Sequence, residues 1–133
     1  MGDYGDVPNI STPQYTFTSF GVLNKESIAH IFLNFCITES IDCIIPLNTF
    51  EFEPLAKSAV LFGEYNIQVL LPAAEILNDY IDSSTQKTND FAVFIHGELI
   101  YSTSAVPEHL NSAQLNGIFK LGASGADLKL FSI

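Results

Sequence analysis

His96-Gly97-Glu98 interrupts an otherwise apolar run from Phe91 to Tyr101. Read as one strand, side chains two apart share a face, so His96 and Glu98 become neighbours. An imidazole beside a carboxylate can act as an oriented general base or supply metal ligands. Neither chemistry is complete here, because no nucleophile motif, third ligand or oxyanion loop lies within sequence reach. The pair is therefore expected to be structural and to meet a partner backbone or a neighbouring subunit. Glu51 and Glu53, separated by Phe52, are the second candidate pair, for acid/base work. They fall between Phe50 and Pro54, in an expected loop or edge strand, and read as solvated charges.

The remaining reactive residues are isolated. His30 lies in an apolar run and reads as semi-buried, and His109 reads as a surface residue in the first turn of a helix. Cys36 and Cys43 sit in apolar surroundings, with no CxxC and no Cys–His cluster of zinc spacing, so buried free thiols are expected. Gly122, Gly125 and the intervening Ala123-Ser124 are not followed by the Lys-Ser/Thr pair of a phosphate-cradling loop. These residues predict no enzyme, no cofactor and no metal.

The elements that must position these groups read as follows. Residues 1–20 hold Gly2, Gly5, Pro8 and Pro13, then a Thr/aromatic stretch in which Tyr15, Phe17 and Ser19 alternate with Thr16, Thr18 and Phe20. This predicts an extended arm, 1–20, whose last part can add to a sheet, followed by a single β-rich domain, 21–133. Ser27 to Thr38 fits a helix capped by Asn24, with Ile28, Ile31, Phe32 and Phe35 on one face, or an alternating strand. Its β-branched and aromatic content favours the strand. Asp42 to Leu47 is a short strand stopped by Pro46, and Ser58 to Tyr65 a buried strand. Pro72 opens a short helix to Ile81, Asp82 to Asp90 is a polar loop, and Pro107 starts a helix that runs to Lys120 and stops at Gly122. Asp127 to Ile133 alternates as a last strand. The expected fold is α+β and β-rich, a small sheet or barrel-like domain with one or two short helices.

Composition narrows the partners. The chain has 133 residues, 47% of them hydrophobic, which suits one domain with one core and excludes wholesale disorder. Fifteen acids face five lysines and no arginine, for a net charge of −10. Contact with a phosphate backbone needs cationic side chains to displace counterions, so direct nucleic-acid binding is disfavoured, as are anionic membrane surfaces. No apolar window is long enough to span a bilayer. Met1 to Asp6 is acidic and lacks the basic start and apolar run of a signal peptide, which predicts a cytoplasmic protein or a particle assembled there.

From Asp82, the segment DSSTQKTNDFAVFIHGELI resembles the lambda-type bacteriophage head decoration proteins. In that family a polar loop leads to a strand with a central His-Gly-Glu, then a helix, a Leu-Gly near the C-terminus and a final short strand. The counterparts here are Pro107 to Lys120, Leu121-Gly122 and Leu128 to Ile133. Upstream, GVLNKESIAHIFLNFCITESIDCIIPLN is similar to the family's apolar strand, short break and Pro-Leu-Asp strand, with Asn48 in place of Asp, and SAVLFGE is similar to its next strand. Residues Gln68 to Ile81 depart from the pattern as an inserted helix, and Ala123 to Ala126 form a longer loop. The resemblance implies a homotrimer on the outer surface of a virion, bound to the major capsid protein as a cement. It makes Tyr15, Thr16, Phe17, Thr18 and Phe20 the capsid-binding arm and His96 with Glu98 a subunit-interface pair. An acidic inhibitor or immunity protein that blocks a basic nuclease is the alternative, although such a mimic concentrates its carboxylates and these spread from Asp3 to Asp127. A small scaffold domain that dimerises through a sheet edge is a third reading.

Overall fold

The computed structural model describes residues 1–81, 89–106, 113–121 and 128–133. The chain divides into a helical half and a sheet half. In the first, β1 (Gly2–Asp3) pairs in parallel with β2 (Thr18–Ser19), and a 3-10 turn at Lys25–Ser27 leads into α1 (Ile28–Thr38). Then come β3 (Cys43–Ile44), α2 (Thr49–Lys57), α3 (Ala59–Glu64) and β4 (Gln68–Val69), which pairs in parallel with β3. In the second half, β5 (Phe91–Ile95), β6 (Glu98–Ser102), β7 (Gly117–Leu121) and β8 (Leu128–Leu130) form an antiparallel sheet in the order β6-β5-β7-β8. The fold is α+β, as expected, in a small domain.

The helical half corrects several expectations. Residues 28–38 are a helix because Ile28, Phe32, Leu33 and Cys36 recur at helical spacing and all are buried on one face. Asn24 starts it, its side-chain oxygen accepting from the Glu26 amide at 3.1 Å. His30 is consequently exposed on the opposite face, not semi-buried, with Nε2 3.2 Å from Asn34 Nδ2 one turn on. Residues 59–64 are also helical and bury only Phe62, because a short apolar run carries no period that separates a strand from a helix. Glu51 and Glu53 lie on α2, not in a loop. Helical geometry sends Glu51 inward, 3% exposed, while Glu53 stays in solvent and pairs with Lys57 one turn later. The Pro72–Ile81 helix is reduced to a 3-10 turn at Leu77–Tyr80, and the inserted helix expected over Gln68–Ile81 begins instead as β4.

The sheet half follows its alternation more closely. Ala92 and Phe94 of β5, Phe119 and Leu121 of β7, and Leu128 and Leu130 of β8 point into the core with Leu115. The helix expected over Pro107 to Lys120 is contradicted at its C-terminal half, where Gly117–Leu121 is a strand. Its earlier residues 107–112, with His109, lie outside the described residues, as do Gly122 and most of the polar loop. Gly117 sits at φ +131°, and a Cβ there would stand 2.8 Å from the Leu70 carbonyl oxygen. A helix cannot place its backbone that way; a strand crossing close under the β4 segment can. Of the cysteines, Cys36 is buried, whereas Cys43 on β3 is exposed rather than buried.

Candidate functional site

The first candidate region is the N-terminal segment. It is not an outstretched arm but an excursion that doubles back on itself. Thr18 N donates to Met1 O and Phe20 N to Asp3 O, both at 2.8 Å, and Gly5 N donates to Gly21 O. A second, tighter fold lies at its tip, where Ser11 bridges Thr16, Thr12 N donates to Tyr15 O at 2.8 Å and Phe17 N donates to Ile10 O. Tyr15 and Thr16 are exposed at this tip, and the Tyr15 and Phe17 rings meet edge-on. Thr18 occupies β2, and Phe20 packs against Phe32 and Phe35 of α1 with ring centroids 5.0 and 5.1 Å apart. The five residues expected to bind a capsid therefore split. Phe20 anchors the segment, Thr18 closes its backbone, and the tip carries the surface.

The second region is the hairpin between β5 and β6. His96 and Gly97 have φ of +50° and +81°, the two left-handed residues of a type I′ turn, so the run Phe91 to Tyr101 is two strands rather than one. His96 and Glu98 thus do not share a strand face; Glu98 opens β6 opposite Ile95. The turn is tied down from below. Asn116 Oδ1 accepts from His96 N at 3.2 Å, and Asn116 Nδ2 donates to the Val69 and Leu71 carbonyls, each at 3.1 Å. Gly97 N donates to Leu115 O, and His96 Nε2 lies 3.3 Å from Gln68 Nε2. This set joins hairpin, β7 and β4 and leaves His96 without a carboxylate partner among these contacts. Among the described residues no group of three His, Cys, Asp or Glu could hold a metal.

β6 is the outer strand of the sheet, and its side chains break the alternation seen elsewhere. Val93 opposes Tyr101 and Phe94 opposes Leu99, so Ile100 is an extra residue, a β-bulge. The bulge leaves Leu99, Ile100 and Tyr101 all exposed, at 44%, 53% and 57%. Beside them the outer face of the sheet presents Phe91, Val93, Ile95 and Ile118, all half-buried. Edge strands are ordinarily guarded by charge or proline; between Glu98 and Ser102 there is neither. Sequence reasoning missed this edge because it merged the two strands, although an X-Gly pair between apolar runs is a hairpin signal.

The third region surrounds Glu51. Asn48 and Glu51 have the N-x-x-E spacing of a capping box, and Glu51 reaches back to accept from the Asn48 amide and from Asn48 Nδ2, each at 3.2 Å. Tyr4 of the N-terminal segment donates its hydroxyl to the same carboxylate at 3.0 Å. Burial, followed by the charge and hydrogen bond of Glu51, pushes the Tyr4 phenol well above its ordinary range. All three contacts are donors to Glu51, which fits an ionised, acceptor-only carboxylate. A comparison with protein-family models, characterised proteins and solved structures finds no match to the chain. Among the described residues no helix is long and apolar enough to cross a membrane.

Proposed function

We propose that this chain is a non-enzymatic structural protein that binds the outer surface of a tailed-phage capsid, as a trimer, and stabilises the lattice as a cement. The observation that carries the reading is the unguarded outer strand β6, where three successive large side chains stand in solvent. An edge of this kind, continuous with an apolar sheet face, offers packing area to a flat protein lattice without a cleft. The resemblance around the His-Gly-Glu hairpin supports the same reading, since that hairpin builds the edge. So does the charge of −10, which keeps the chain from being held by free nucleic acid during assembly. A cement acts by mass action: binding only the mature lattice raises the stability of that state.

The test is direct. Purified protein is mixed with expanded icosahedral shells of the major capsid protein from the same virus, and the shells are sedimented and then heated. Saturable co-sedimentation with a higher shell melting temperature is the expected result. Failure to co-sediment with expanded shells overturns the proposal.

A further inference from the structure

Between the doubled-back N-terminal segment, α1 and β3 lies a cavity of about 480 Å³, within the size range of small-molecule sites. Its walls are apolar, with Phe17 and Phe20 from the segment, Phe32 and Phe35 from α1 and Ile44 from β3, and it includes the buried Glu51. Among the described lining residues, Asp3, Asp6 and Glu51 supply three carboxylates, and no lysine, arginine or histidine faces them. The donors that hold Glu51 are two neutral groups of Asn48 and the neutral Tyr4 hydroxyl. They satisfy hydrogen bonds but leave the negative charge uncompensated in a region of low dielectric.

An apolar molecule alone would gain from the walls but nothing from that charge, and an anion would be repelled by it. A cation without an apolar body would lose hydration for little burial. An apolar ammonium meets both demands, with its carbon skeleton among the rings, where aromatic faces also attract cations, and its charge toward Glu51. We propose that this cavity is a binding site for a small organic ammonium, with Glu51 as counter-ion and Phe20, Phe32 and Phe35 as its apolar walls. The site is separate from β6, so its occupancy does not depend on the capsid reading.

Three near-isosteric probes test this: 2-phenylethylammonium, 2-phenylethanol and 3-phenylpropanoate, titrated into the full chain with amide chemical shifts as the readout. The ammonium should bind saturably, at least tenfold tighter than the alcohol, with shifts centred on Phe20, Phe32, Phe35 and Ile44, and the carboxylate should bind weakest. Glu51→Gln, checked for native circular dichroism, should erase the preference for ammonium over alcohol while the alcohol still binds. Should Glu51→Gln not fold, Ile41→Phe decides, because it adds bulk to the lining and leaves Glu51 in place. It should abolish saturable binding of the ammonium. Equal affinity for ammonium and alcohol, shifts confined to surface carboxylates, or undiminished binding by Ile41→Phe would each overturn the assignment.

Discussion

The hydroxyl of Tyr4 donates to the carboxylate of Glu51 at 3.0 Å, joining residues 47 positions apart in the chain. Through this bond the N-terminal segment completes the solvation of a buried charge on α2, and the Tyr4 ring stacks edge-on against Phe20 at 5.6 Å. The segment is thus tied to the helical half by polar and aromatic contacts together. Docked segments of this kind remain the least stable part of a fold, since they bury little area per residue.

Replacing Tyr4 with Phe keeps the ring contacts and removes the donor. The loss should be about 1–3 kcal/mol in urea unfolding, the cost of leaving a buried acceptor short of a partner. An unchanged midpoint would show that water takes the place of the hydroxyl. The same variant tests a pH dependence. The Tyr4 proton is held above the ordinary value of 10, so the folded chain keeps it where the unfolded chain loses it. Its contribution is full below about pH 10 and declines as pH rises beyond that. Tyr4→Phe should unfold with a shallower alkaline decline than the parent; parallel declines refute the linkage.

Asn116 is the second cross-link. One side chain holds the His96 amide and two carbonyls of the β4 segment, Val69 and Leu71. Asn116→Ala should cost about 1–3 kcal/mol by leaving those groups unpartnered. Asn116→Asp keeps the acceptor and puts a charge against two carbonyls, so its thermal midpoint should be lower still. A midpoint for Asn116→Asp at or above the alanine variant would show that the donor side of the amide is not what joins the two halves.

How far the sequence could reveal this arrangement depended on period. β8 and the interior of β5 were legible because Leu128 and Leu130, or Ala92 and Phe94, alternate with half-buried neighbours. The short strand stopped by Pro46 was legible for the same reason at β3. The run 28–38 was not, because Ile and Phe raise strand propensity while their spacing satisfies a helix, and the Asn24 cap was the better witness. α2 was obscured by Pro54 inside it, although the Asn48-x-x-Glu51 spacing marked its start. Of the candidate site, His96 was found but misread. Its left-handed backbone depends on the Asn116 anchor, a contact made across 20 residues.

The two thiols should separate cleanly. Burial, and then Cys43, pushes the Cys36 thiol up to about 11, and it lies inside the core. Cys43 is exposed, with its own value raised by burial and by Asp42. A chromogenic thiol-exchange reagent at mildly alkaline pH should therefore modify one thiol in the native protein, slowly, and the second only on unfolding. Cys43→Ser should remove the native reaction. Retention of one reactive thiol in that variant would mean that Cys36 is reached by local opening.

The exposed edge carries the last prediction, and it separates binding from folding. Ile100 is the bulge residue of β6, is 53% exposed and lacks a partner on β5. Ile100→Lys adds the charge that guards most edge strands without removing a core contact. Its unfolding free energy should stay within about 0.5 kcal/mol of the parent, as for a surface substitution. Phe94→Ala, inside the same hairpin and 1% exposed, should instead cost about 3–5 kcal/mol by opening a cavity. If β6 is the lattice-facing edge, Ile100→Lys should abolish co-sedimentation with expanded shells while its melting curve overlays the parent's. Undiminished co-sedimentation by a folded Ile100→Lys would move the contact away from β6 and leave the exposed tip at Tyr15 and Thr16 as the surface to test next.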